Sequence, residues 1–260
     1  MSTNDQTISY YNIFSSDGKT IHKTAAQIIR EVQLTVNLQG CTFATIACSG
    51  IHLEELTAGF LKSEKLISTL EDIAEIKISS EGYCVKVTLK HEKEVSGFFI
   101  KNIASSGARS KIIIQEPLIP LCAPADFTIH PKLALELMDD LLKNTVLHKE
   151  THGTHCSALA REEKIIARRE DIGRHNTIDM LGGYALLNQI DLSAAILLTT
   201  GRISSEIVNK AWNLGIPIII SHSAPTTKAL ALADKAVITI VGYMRGGQMN
   251  IYSHERRIKI

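Results

Sequence analysis

Arg169-Glu170-Asp171-Ile172-Gly173-Arg174-His175-Asn176-Thr177-Ile178-Asp179 sets two arginines, three acids, a histidine and a glycine between two apolar segments. Ile165-Ile166-Ala167 before it has the composition of a short buried strand. After it, Asn176 and Asp179 have the spacing of an N-cap and its N3 acid, and Ile178, Leu181, Ala185 and Leu186 recur near helical spacing. The resulting order is strand, tight polar loop, helix. Such a loop presents side chains and helix N–H groups at one edge of a sheet, where α/β proteins hold ligands. Ions that pair only with one another across a solvated connection are the plain alternative.

Downstream the pattern is regular. Ala194 to Leu198 is a buried strand, Thr199-Thr200-Gly201-Arg202 a turn, and Ser204 to Leu214 a helix that stops at Gly215. Ile216 to Ile220, a helix ending near Lys235, Val237 to Val241 and a final strand from Met249 to Tyr252 follow. Alternating strands and helices with short turns predict a parallel sheet with right-handed crossovers. The turns after Ala167, Leu198, Ile220 and Val241 then leave one edge together, and three of the four carry an arginine: Arg174, Arg202 and Arg245. Arginine forks and exposed helix N–H groups suit phosphate oxygens, and Gly246-Gly247 lets backbone approach a ligand. A phosphate-bearing ligand at this edge is the expectation.

Upstream, Pro131 opens a periodic helix through Leu133, Leu137, Met138, Leu141 and Leu142. His148 to Cys156 holds three histidines, and His148-x-Glu150 copies half of a zinc-deaminase signature. The Pro-Cys-x-x-Cys half is absent and Gly153 interrupts a helical histidine face, so no metal is expected. Val32 to Leu38 alternates, Gln39-Gly40 turns, and Cys41 to Ala47 returns as a strand. Leu53, Leu56, Phe60 and Leu61 share a helix face, and Ile76 to Ser79 with Val85 to Leu89 reads as a hairpin around Glu81-Gly82. These compose a small α+β domain over 1–115, followed by an α/β domain over 116–260. Between them, 103–111 is rich in small residues with two cations, Arg109 and Lys111: an anion- or partner-contacting loop or a plain linker.

A net charge of +1 removes the case for a general nucleic-acid binder. The polar start has neither part of a signal peptide, and the aliphatic run near Ile216 to Ile220 is too short to cross a bilayer. Five cysteines without a C-x-x-C pair indicate neither a disulfide framework nor a zinc ribbon. A cytoplasmic protein without a membrane partner is expected.

The chain resembles the FdhD/NarQ family of formate dehydrogenase accessory proteins. The likeness rests on Glu170 to Asn176, Gly201-Arg202-Ile203-Ser204-Ser205-Glu206, Gly215-Ile216-Pro217, Ser221 to Thr226 and Val241 to Gly247. Thr151, His155 and the helix Leu56 to Glu64 also fit. The resemblance implies a cytidine-deaminase-like three-layer fold for the second domain, without that fold's zinc chemistry. It implies the bis-guanine-dinucleotide molybdenum cofactor as ligand, and sulfurtransferase-type activity that moves persulfide sulfur from a cysteine desulfurase to the cofactor for formate dehydrogenase. A homodimer would suit a cofactor with two dinucleotide arms. Cofactor contacts of the family fall on Tyr243, Met244, Arg245, Gly246, Gly247 and Gln248, and the inference extends to Arg174, His175, Arg202, Ser223 and Thr226.

One departure matters. Where the family loop reads Cys-Gly-x-Cys-Gly, this chain has Ser106-Gly107-Ala108-Arg109-Ser110. A serine hydroxyl cannot hold sulfane sulfur, so no carrier role passes to Ser106 or Arg109. Cys156 beside His155 is either a substitute thiol or an inert packed residue. A nucleotide-binding module or cofactor chaperone without sulfur transfer is the alternative function.

Overall fold

The computed structural model describes residues 7–79, 82–91, 101–103, 119–121, 123–124 and 126–260. The Ser106–Ser110 loop and Cys122 lie outside them.

Strand β3 (Val32–Leu38) turns all of Leu34, Val36 and Leu38 inward, and Gln39 and Gly40 both take positive φ in the turn to β4 (Cys41–Cys48). With β5 (Ile73–Ile78), β6 (Cys84–Leu89) and β7 (Lys101–Ile103) these form a five-stranded sheet ordered β5-β6-β3-β4-β7. Helix α1 (Leu53–Ser63) covers it through Leu56, Phe60 and Leu61. Ahead of this unit, β1 (Ile8–Ser16) and β2 (Ile21–Ile29) make a separate antiparallel hairpin that the sequence pattern did not announce. It leaves Tyr10, Tyr11, Phe14 and Ile21 largely exposed.

The second sheet has six strands: β8 (His155–Arg161), β9 (Lys164–Asp171), β10 (Ile196–Thr199), β11 (Ile218–Ser221), β12 (Thr239–Arg245) and β13 (Gln248–Ser253), ordered β13-β12-β11-β10-β8-β9. It is mixed, not all parallel. β8 pairs antiparallel with both β9 and β10, which its small residues Ser157, Ala158 and Ala160 concealed in the sequence. β9, β10, β11 and β12 therefore still run one way, and their carboxyl ends share an edge. Helices α4 (Arg174–Leu187), α5 (Ser205–Leu214) and α6 (Thr227–Ala236) cover one face through Leu159, Leu197, Ile219 and Ile240. Helix α2 (Pro131–Lys143) covers the other through Ala158, Leu198, Ile220 and Val241. The result is the expected three-layer α/β arrangement. No helix among the described residues is long and apolar enough to cross a membrane.

Helix α4 belongs to both cores: Met180 and Leu186 pack with the residues under α1, Ile178 and Leu181 with those of the six-stranded sheet. Two glycines let the helix backbones touch. A Cβ on Gly59 would lie 1.7 Å from the Asp179 carbonyl oxygen, and one on Gly183 would lie 1.8 Å from that of Glu55. Polar pins frame this contact. Arg169 grips Glu55 bidentately, with Nη2 2.6 Å from Oε1, and Lys210 Nζ and Ser63 Oγ both donate to buried Asp179.

Candidate functional site

The loop from Arg169 to Asp179 divides into two groups of residues. Its acids are consumed by structure. Glu170 accepts from the backbone N–H groups of Val146, Leu147 and His148, capping the short helix α3 (Val146–Thr151). Asp171 is fully buried and accepts from Ser49 N and Oγ, Gly173 N and Asn176 Nδ2, all within 2.9 Å. Burial pushes its carboxyl upward against the pull of those four donors. Asn176 is not the N-cap that its spacing with Asp179 suggested. Gly173 holds that position, so Asn176 lies inside the first turn and spends its amide on Asp171 and the Ala47 carbonyl.

The cations face the other way. Arg174 opens α4 with its stem laid over Gly201, where a Cβ would meet it at 3.0 Å. Burial and the nearby Arg202 guanidinium hold the charge of Arg174 below its usual stability. His155, at the start of β8, is pushed down by burial, then by Arg174, His148 and Arg202. His175 is pushed down to about 3 by burial first, then by Lys210, Arg174 and His155. Its Nε2 lies 3.2 Å from Glu206 Oε2, yet out of line for a hydrogen bond. In this gap between the first turns of α4 and α5, Arg174 Nε and Ser204 Oγ are buried donors without an acceptor among the described residues.

A second group sits across β11. Strand β12 outruns its pairing with β11, which ends at Val241, and continues as a hairpin tip closed by Gly246 and Gly247 at φ 57° and 74°. Tyr243, itself at φ 55°, is half-exposed, and the Arg245 guanidinium stands 5.5 Å from its ring centroid. Arg245 also depresses His222, after burial. Gln248 is exposed beside Arg245, whereas the Met244 side chain is buried in the core against α2.

Backbone ties the groups together. Ser221 Oγ donates to the Gly201 carbonyl, Ser223 N donates to Ser221 Oγ, and Tyr243 N donates to the Ser223 carbonyl. Thr226 caps α6 through Ala229 N and donates its own N–H to Ile203 O. Arg174, Arg202, Ser223, Thr226 and Tyr243 thus emerge on one edge, as the strand directions require. His155, His222, Ser204 and Glu206 stand there too. The sequence reading left them out of the site, although each adjoins or lies within a motif that it used. Arg174 and Arg202 stand close enough to repel each other, and Arg245 lies beside His222 in the second group along the same edge, so an anion at this edge would relieve unbalanced positive charge. A cleft of about 1250 Å³ lies elsewhere, against the outer strand β9, lined by Arg30, His52, Tyr83 and Arg169 among others. It holds none of the predicted residues. Among the described residues no cluster of histidine, cysteine and acids could hold a metal ion.

The FdhD/NarQ family model matches residues 29–259. The chain belongs to the FdhD/NarQ family. Relatives named Sulfur carrier protein FdhD include one from Staphylococcus haemolyticus, 38% identical over 91% of each chain, and one from Bacillus subtilis, 34% identical over 98% of this chain and 99% of its own. A crystal structure of a putative formate dehydrogenase accessory protein from Desulfotalea psychrophila shares the fold, with a TM-score of 0.79 at 23% identity over 97% of this chain and all of that one. Within this FdhD/NarQ chain, Cys156 is 1% exposed, and burial drives its thiol well above the usual range. Cys48 is pushed up to about 12. Neither supplies thiolate at neutral pH.

Proposed function

We propose that this chain serves formate dehydrogenase maturation by holding the molybdenum cofactor, in its bis-guanine-dinucleotide form, at the carboxyl edge of the six-stranded sheet. The carrying observation is that Arg174, Arg202 and Arg245 all follow strands whose carboxyl ends share one sheet edge, with unfilled donors on Arg174 and Ser204. Phosphate oxygens accept from those donors and offset the crowded charge. His175 and Arg202 support the phosphates, Ser223 and Thr226 line the middle loop, and Tyr243 with Arg245 offers a flat cationic platform to a base. Gly246, Gly247, Met244 and Gln248 contribute the backbone of the hairpin tip. The family relation adds a cysteine desulfurase as sulfur source, formate dehydrogenase as recipient and a cytoplasmic homodimer.

On sulfur a second reading has its own support. Ser106 and Arg109 stand where the family loop carries cysteines, and Cys156 is buried with its thiol protonated. That favours a holder of the cofactor that carries no sulfur itself.

Guanosine diphosphate should bind more tightly than adenosine diphosphate, and Arg245→Ala should weaken it by about tenfold, the worth of a charged hydrogen bond. Calorimetric titration measures both; equal affinities for the two nucleotides, or no binding, would remove the reading. Labelling with sulfane sulfur by a cysteine desulfurase, then peptide mapping, separates the sulfur readings. The structure leads us to expect no label on Cys156 or Cys48, and a persulfide on either would restore a carrier.

A further inference from the structure

We infer that Glu206 accepts hydrogen bonds from the ribose hydroxyls of a nucleotide seated between the first turns of α4 and α5, a specificity role that rests on the nucleotide-binding reading above. Several carboxylates lie near this edge or along α4, and Arg169 holds that of Glu55. Glu170 is filled by the N–H groups of α3, Asp171 by four donors, and Asp179 by Lys210 and Ser63. Glu206 differs. Its side chain is 29% exposed, and its close contact among the described residues, His175 Nε2, is misaligned. Burial raises its carboxyl, as does the nearby Glu64, although Lys210 and Arg174 pull it down.

The same gap contains the donors Arg174 Nε and Ser204 Oγ, which lack acceptors. A ligand that fills it needs acceptors for the arginine and the serine and donors for Glu206. Inorganic phosphate supplies only the first and would face a like charge in Glu206. A ribonucleotide supplies both, since its hydroxyl pair lies one sugar ring from the phosphate. A carboxylate placed on a ribose hydroxyl next to a phosphate-binding helix turn is also the arrangement that dinucleotide-binding sheets use. The rival role for Glu206 is a plain counter-ion for Arg174 and Lys210, indifferent to the sugar.

The roles separate by titrating the full chain with guanosine diphosphate and its 2′-deoxy form, before and after Glu206→Gln. A charged hydrogen bond predicts about a tenfold preference for the ribose form in the unsubstituted protein. Glu206→Gln should abolish most of that preference. Binding of the deoxy form should hold or tighten, because a negative charge beside the phosphate is gone. Equal affinities in the unsubstituted protein, or a parallel shift of both ligands in the variant, would overturn the ribose role and leave nucleotide binding standing. Binding of neither ligand would overturn both. The first comparison needs no substitution, so a variant that misfolds does not blunt it.

Discussion

Gly183→Ala should destabilise the protein by about 3 kcal/mol, even though alanine gains roughly 1 kcal/mol over glycine in a helix interior. The reason is the contact between α1 and α4. The added Cβ would sit 1.8 Å from the Glu55 carbonyl oxygen, and a carbonyl in a helix cannot swing aside as a flexible side chain can. The helices must part, and Met180 and Leu186 then withdraw from the core they share with Leu56 and Phe60. Gly59→Ala should behave alike, for its Cβ would meet the Asp179 carbonyl at 1.7 Å. Urea unfolding followed by circular dichroism reads the effect as a lower midpoint. A raised midpoint, the outcome that helix propensity alone dictates, would show that the helices do not meet here.

Lys210→Ala should be costlier, about 3–5 kcal/mol near neutral pH, because it strands a buried charge. Asp179 is 3% exposed and takes Lys210 Nζ at 2.6 and 2.7 Å, with Ser63 Oγ as its other donor. Burial already pushes its carboxyl upward, and Lys210 is the largest opposing influence. Without the lysine the folded-state carboxyl rises further above its unfolded value. Between those two values the folded state holds a proton that the unfolded state releases. The variant's stability should therefore be fullest on the acid side and fall as pH rises through the folded value. Adding Asp179→Asn to Lys210→Ala should restore part of the loss at pH 8 and little at pH 4. Stability of the single variant that rises with pH across this range would refute the account.

The sequence declared the edge but not all of its neighbours. Strand direction followed from β–α–β spacing, and arginines at the turns marked the edge because those turns are short. β8 stayed hidden because Cys156, Ser157, Ala158 and Ala160 are small residues facing neighbours on both sides, so no alternation appears. The acids of the opening loop looked like ligand groups. Their partners, Ser49 and the first turn of α3, lie 122 and 22–24 residues away, beyond what local spacing reveals. Glu206 escaped for the converse reason: only the filling of its neighbours by protein donors marks it as unfilled.

The latch between Ser49 and Asp171 also orders events during synthesis. The serine leaves the ribosome 122 residues before its acceptor, an interval of roughly ten seconds at ordinary rates of elongation. In the later part of it, once β5 and β6 have followed, α1 can meet its sheet but still shows a bare groove at Gly59 and an apolar flank awaiting Met180 and Leu186. The nascent N-terminal half is thus an incomplete particle for which a chaperone has a target, and translation of α4 is the moment at which that target disappears.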